Sequence, residues 1–124
     1  MNAKSGIIYA ALLLALSVII GAFGAHGLEK MVDASKLATF ETGVRYHIYH
    51  AFAILVTSVI ALIKPEMKIT KAIVFFSIGI LLFSFGCYAY ALTGMKSIAM
   101  IVPFGGTSFI IGWVMLALGA RKLN

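Results

Sequence analysis

Four long runs without a charged side chain divide this sequence, and they constrain the fold more than any other feature. The runs cover about residues 6–27, 46–63, 72–92 and 98–120. An α-helix needs about 20 predominantly apolar residues to cross the hydrocarbon core of a bilayer. The sequence therefore predicts an all-α polytopic membrane protein, in which four transmembrane helices form one bundle and residues 1–124 form a single domain.

The composition and the placement of charge agree with a bilayer as the main partner. Apolar residues make up 62% of the chain, against roughly 45–50% in soluble globular proteins. The net charge is +6, but the basic residues stand at the ends of the apolar runs, where they suit anionic lipid headgroups better than nucleic acid. The first run is longer than the apolar part of a signal peptide, so we expect it to be retained.

The longest polar connection joins the first two runs and extends from Glu29 to Arg45. Three of its apolar residues recur at helical spacing: Leu37, Phe40 and Val44. This pattern predicts a short interfacial helix before the second span, continuing into that span. Asp33 or Ser35 is available as its N-cap.

The distribution of lysine and arginine predicts the orientation. Six of these residues lie on the side of the two termini and four on the opposite side. Because cytoplasmic loops carry the excess of basic residues, we expect both termini in the cytoplasm and the protein in the plasma membrane.

Polar and ionisable residues gather at the predicted outer end. The candidate ligand site or polar cluster consists of His26, His50, Tyr46, Glu41 and Arg45. Imidazoles from two helices can hydrogen-bond to each other, ligate one metal ion or flank a haem iron. The sequence therefore predicts a His/Tyr/Gly corner at the outer membrane face, in which His26 meets His50.

Glycine recurs at helical spacing in all the runs except the second, and this favours close helix packing. The predicted packing positions are Gly21, Gly24, Gly27, Gly79, Gly86, Gly105, Gly106 and Gly112. Four helices have more small-residue faces than they can satisfy among themselves, so we expect a homo-oligomer, either a dimer or a trimer.

Four motifs carry a resemblance to a known family. They are Gly21-Ala-Phe-Gly-Ala-His-Gly-Leu28, Thr42-Gly43-x-x-Tyr46-x-x-x-His50-Ala51, Phe83-Ser84 with Tyr88 and Ala91-Leu92-Thr93-Gly94, and Pro103-x-Gly105-Gly106 with Gly112-Trp113. In this order they resemble the domain-of-unknown-function 423 family, also called transmembrane protein 256-like. The resemblance implies a small four-helix membrane protein without an assigned enzymatic activity. It gives His26 and His50 more weight than His47, where the family commonly has an amide, and Phe85-Gly86 departs from its usual Gly-Ser.

Three functional hypotheses follow. The first is a structural or lipid- or partner-interacting membrane protein. The second is a binding site for a metal, haem, quinone or lipid headgroup at His26 and His50. The third is a small transporter, which is disfavoured because all four acidic residues lie outside the apolar runs. The sequence has no nucleophile–base set, phosphate loop or carboxylate pair, so we predict neither an enzyme nor a resident cofactor.

Overall fold

The computed structural model describes residues 2–123, which are mostly helical and contain no β-strand. The helices are Ala3–His26 (α1), Ala34–Ile63 (α2), Thr70–Gly79 (α3), Phe85–Thr93 (α4), Lys96–Ala99 (α5) and Val102–Ala120 (α6). A π-helical turn, Ile80–Ser84, joins α3 to α4. Four stretches are long and apolar enough to cross a membrane: Ala3–Lys30, Ala34–Ile63, Thr70–Thr93 (the third span) and Lys96–Ala120 (the fourth span). The predicted all-α, four-span fold class is confirmed.

Polar groups at the helix ends explain where the helices begin. The Asp33 carboxylate accepts a hydrogen bond of 2.8 Å from the Lys36 backbone N–H, so Asp33, rather than Ser35, caps α2. The residues predicted to form an interfacial helix are the first turns of α2 and are continuous with the second span. Gly94 ends the third span in the left-handed region, with φ of 68°.

The spans pack as an open arrangement rather than a closed square. α1 packs along α2, and the third span lies between α2 and α6. The backbones of α2 and α6 hardly approach each other. The main apolar core lies where α2 meets the third span, around Ile54, Ile73 and Phe76.

Several glycines lie where another helix comes too close for a larger residue. A Cβ atom at Gly112 would stand 2.7 Å from the Phe76 ring, and one at Gly24 would stand 2.7 Å from the Phe40 ring. Gly79 faces Phe109 and Gly105 faces the Phe83 backbone at even closer range. Among the residues not predicted for this role, Gly6, Gly43 and Gly119 make equally close approaches.

The other predicted packing glycines differ from this group. A Cβ at Gly21 would meet Val44 at an ordinary 3.5 Å, and one at Gly106 would lie 3.7 Å from the nearest atom of Phe83. A Cβ at Gly86 would stand 3.0 Å from Val102, whereas the nearest neighbour of Gly27 is Phe23 of its own helix. Gly21 and Gly106 therefore leave space next to them instead of allowing a close contact.

Two interruptions shape the third and fourth spans. In the π-helical turn, the Phe85 backbone N–H bonds to the Ile80 carbonyl, five residues back, so the span contains one residue more than a regular helix would need. In the fourth span, a turn at Met100 and Ile101 separates α5 from α6 although both residues keep right-handed helical backbone angles, and Pro103 lies in the first turn of α6. Proline is favoured there because the first helical N–H groups have no partner within the helix.

The Gly112 contact predicts a selective packing defect. Gly112→Ala should lower the free energy of unfolding by about 1–3 kcal/mol, because the fully buried Phe76 ring has no room to move aside. Gly106→Ala, on the same helix, should leave stability unchanged or slightly higher. Denaturation in mixed detergent micelles measures both, and equal losses would contradict the packing argument.

Candidate functional site

His47 is the most enclosed ionisable residue of the described chain, and it connects three helices. Its side chain is fully buried, with 0% exposure. The Nε2 atom lies 2.9 Å from the Leu13 carbonyl oxygen of α1, and the Nδ1 atom lies 2.9 Å from the Tyr88 hydroxyl of α4. A carbonyl only accepts, so Nε2 carries the proton and Tyr88 donates to Nδ1. Both ring nitrogens of His47 therefore have a hydrogen-bond partner.

His50, one turn further along α2, uses the opposite tautomer. Its Nδ1–H donates to the Tyr46 carbonyl oxygen at 2.8 Å, within the same helix. Its Nε2 accepts a hydrogen bond of 3.0 Å from the Trp113 indole N–H of α6. The imidazole also stacks on Phe109, with ring centroids 3.5 Å apart and planes 13° from parallel. His50 therefore attaches α2 to α6 through one polar and one aromatic contact.

Aromatic rings occupy the space that separates α2 from α6. Trp113 meets Phe76 edge-on at 4.9 Å between ring centroids, and Tyr46 lies 4.7 Å from Phe83. Edge-to-face and offset arrangements of this kind are the favourable ones for aromatic pairs. The indole ring is thus held from two sides, by the His50 nitrogen and by the Phe76 edge.

The structure does not bring His26 and His50 together. His26 is exposed at the end of α1. It lies thirteen residues beyond Leu13, whose carbonyl oxygen contacts His47. Thirteen residues of helix extend about 20 Å, so His26 is far from the two other histidines along the helix axis. Both His47 and His50 lie near the middle of α2 instead of at one end. His26 and His50 are therefore not neighbours, contrary to the prediction: the predicted span began at Tyr46, but α2 begins twelve residues earlier, at Ala34.

Of the other predicted site residues, Tyr46 stays beside His50, whereas Glu41 and Arg45 do not. Tyr46 contacts it, with rings stacked at 6.0 Å, and is 38% exposed on the flank of α2. Glu41 and Arg45 are exposed on another part of α2, beside α1. The Arg45 guanidinium donates to the Thr42 hydroxyl at 3.0 Å.

Two grooves open between α2 and α6, one on each side of the Trp113 ring. The Lys64 groove, of about 500 Å³, is lined by Ile60, Ile63, Lys64, Met67, Trp113, Leu116, Ala117, Ala120 and Leu123. The Tyr46 groove, of about 510 Å³, is lined by Tyr46, His50, Phe83, Pro103, Gly106, Thr107, Phe109, Ile110 and Trp113. Sites for small molecules and cofactors typically measure about 300–1,000 Å³. Each groove is therefore large enough to hold a ligand.

The chemistry available in this region is mainly apolar. Within residues 2–123, no group of three histidine, cysteine, aspartate or glutamate side chains is placed to hold a metal ion. Two buried hydroxyls, those of Thr57 and Ser84, have no hydrogen-bond partner among the same residues. The groove walls can therefore contact an apolar ligand over a large area, while Lys64 supplies a positive charge at the end of α2.

Sequence reasoning missed the main partners of both histidines. His47 received less weight than His50, yet it is the more buried and connects more helices. Tyr88 and Trp113 entered the sequence analysis only as residues of the family motifs and not as hydrogen-bond donors. A buried tyrosine or tryptophan usually finds a polar partner, and this rule is the signal that could have paired them with the histidines.

The comparisons with known proteins identify relatives along nearly the whole chain. Residues 20–106 match the profile of a family described as "Protein of unknown function (DUF423)". The chain is 38% identical to the UPF0382 membrane protein YwdK of Bacillus subtilis, over 96% of this chain and 98% of that protein. It is 34% identical to the UPF0382 inner membrane protein YgdD of Escherichia coli K12, over 100% of this chain and 95% of that protein. No solved structure gives a significant match.

The hydrogen bond between Tyr88 and His47 predicts a specific loss of stability. Tyr88→Phe should lower the free energy of unfolding by about 0.6–2 kcal/mol, because the His47 Nδ1 atom loses its donor while the ring contacts remain. Tyr49→Phe on the exposed flank of α2 is the matched control and should change little. Denaturant titration in mixed micelles measures the difference, and similar values for the two variants would count against the bond.

Proposed function

Because the chain belongs to the DUF423 family of membrane proteins, whose function is unknown, we propose a role from its own geometry. It is a lipid-binding protein of the plasma membrane, without catalytic chemistry of its own. Its binding site is the Lys64 groove, and the ligand is an anionic phospholipid. The histidines link the helices by hydrogen bonds and hold the residues of the groove wall in position.

The observation that carries this proposal is the combination of an apolar groove with a lysine at its end. Ile60 and Ile63 from α2 face Leu116 and Ala117 from α6 across the groove. A wall of this kind suits an acyl chain, which makes apolar contacts along its length. Lys64 follows α2 directly, where an ammonium group can meet a headgroup phosphate.

The charges near this end of the bundle favour an anionic over a zwitterionic lipid. Lys68 and Lys122 line a smaller neighbouring cavity on the other side of α6, and Arg121 adjoins it. Glu66 is the acidic residue of the same region. Each basic residue near a membrane surface contributes about 1 kcal/mol of attraction to anionic lipids. Lysine and arginine outnumber acid here, so a negative headgroup is stabilised.

The role of His50 in this proposal is to position Trp113. The indole separates the two grooves, and its N–H is held by the His50 Nε2 atom. A metal or haem at His50 would have to displace that bond or the one to Tyr46. The alternative of a metal or haem site is tested by absorption spectroscopy and metal analysis of the purified protein. A Soret band or a stoichiometric metal would replace the lipid proposal.

Lipid binding is tested by native mass spectrometry of the detergent-purified protein with added phosphatidylglycerol or phosphatidylcholine. We expect tighter binding of phosphatidylglycerol, and about a fivefold loss in Lys64→Gln, the equivalent of about 1 kcal/mol. Lys71→Gln, at the same end but outside the groove, is the charge control. Equal binding of the two lipids by the unmodified protein would contradict the proposal.

The apolar part of the groove is tested separately. Ala117→Phe should fill the groove and weaken the binding of both lipids, because the acyl chain loses its place between α2 and α6. Val114→Phe adds the same ring on an exposed part of α6 that does not line the groove, and should have no such effect. If Ala117→Phe binds lipid as the unmodified protein does, the groove is not the site.

We further propose that the Lys64 end faces the cytoplasm, because most of the basic residues lie at this end. With both termini in the cytoplasm, a reporter fused after Asn124 should be active as a cytoplasmic fusion. In a Cys87→Ala background, Ser35→Cys should react with a membrane-impermeant maleimide from outside. Lys71→Cys should react only after the cells are permeabilised. The reverse labelling pattern would put the Lys64 groove on the outer side.

A further inference from the structure

Glu41 and Arg45 are two charged residues on the flank of α2, and neither belongs to the proposed lipid site. They stand one turn apart, and both are exposed. Beside them, Gly21 of α1 approaches Val44, so Arg45 lies at about the depth of Gly21. Gly21 precedes Glu29 by eight residues, a distance of about 12 Å along a helix axis. With Glu29 at the membrane surface, Arg45 therefore starts inside the hydrocarbon core, which is about 30 Å thick.

A charge at this depth needs a partner, because ionisable residues within spans almost always pair or face the inside of a bundle. Arg45 donates to the Thr42 hydroxyl, which is neutral. Within residues 2–123, the one ion pair joins Lys36 to Asp33, so neither Glu41 nor Arg45 forms an ion pair within its own chain. Both charged side chains are exposed on the side of the protein.

The surface around the two charges is shaped to receive another helix. A groove of about 200 Å³ runs between α1 and α2, and its lining includes Gly21, Gly24 and Ala25 on one side and Glu41 and Arg45 on the other. A Cβ at Gly21 would fit at an ordinary contact distance, so the missing side chain leaves a depression in the surface. Small residues of this kind allow the backbones of two helices to come close.

From these observations we propose that this groove is the contact surface for a second copy of the chain. The two copies are related by a two-fold axis along the membrane normal, so equivalent residues lie at equal depth. Glu41 of one protomer then pairs with Arg45 of its partner, and the same pair forms again on the other side of the axis. Glu41 and Arg45 are about 6 Å apart along the helix, a distance that their long side chains bridge.

Charge complementarity selects a second copy over other occupants. The surface carries one acid and one base a single turn apart, so it is complementary to itself when it is rotated by the two-fold axis. The phosphate of an anionic lipid headgroup would attract Arg45 and repel Glu41. The contact lies on the α1 side of α2, whereas the Lys64 groove lies on the α6 side. The dimer proposal is therefore independent of the lipid proposal.

The decisive experiment is a charge exchange, with the dimer fraction measured by single-molecule photobleaching in liposomes at several protein-to-lipid ratios. Glu41→Arg and Arg45→Glu should each weaken the dimer at least tenfold, because like charges then face each other. The double variant Glu41→Arg/Arg45→Glu should recover it, since the pairs re-form with exchanged signs. Lys30→Glu, on the connection outside α2, is the control and should dimerise as the unmodified protein does.

Cross-linking places the contact independently of the charges. In a Cys87→Ala background, Ala25→Cys in the groove should be cross-linked to its partner by a short bifunctional maleimide. Phe104→Cys, exposed on the fourth span, should not. A monomeric unmodified protein, unaffected reversal variants, or cross-linking at Phe104→Cys alone would overturn the proposal. If a reversal variant misfolds, as judged by the fluorescence of the single tryptophan, Glu41→Gln and Arg45→Gln take its place and should weaken the dimer.

Discussion

The His47 imidazole is the interaction on which the arrangement of the first three spans depends. Inside a bilayer, apolar side chains have no preference for a neighbouring helix over lipid, so helices associate through close packing and polar contacts. His47 supplies such contacts in two directions, to the Leu13 carbonyl and to the Tyr88 hydroxyl. Close approaches at Gly24 and Gly43 lie on the same two interfaces. Together they hold α1 and the third span against α2.

His50 links the fourth span to α2, through side-chain contacts instead of close backbone packing. The backbones of α2 and α6 stay apart, so the link must be made by long side chains. The Trp113 indole and the Phe109 ring extend from α6 and meet the imidazole between the helices. This separation leaves the two lateral grooves open beside the rings. The same feature that attaches the fourth span thus provides space for a lipid chain.

The fold class could be predicted from the sequence because a long uncharged run has few alternatives to a membrane-spanning helix. The arrangement of the candidate site could not be predicted, because the sequence did not show where α2 begins. Charged residues such as Glu41 and Arg45 made the second run seem to start at Tyr46, which put His50 at an outer end. The Asp33 cap starts the helix twelve residues earlier and moves both histidines to its middle. The hydrogen-bond partner of each imidazole nitrogen also depends on how each helix is rotated about its axis. This rotation cannot be predicted from apolar runs that have little amphipathic pattern.

The π-helical turn at Ile80–Ser84 has a consequence for how the third span divides its faces. One added residue turns everything beyond it by about 100° around the helix axis. Before the turn, Gly79 meets Phe109 of the fourth span, and beyond it Tyr88 reaches His47 of the second. The first half of the third span thereby packs against both the second and the fourth span, and its second half packs mainly against the second. Deleting one residue from the turn would restore an unbroken spiral and point the Tyr88 hydroxyl away from its imidazole, so sequence length here is as constrained as sequence identity.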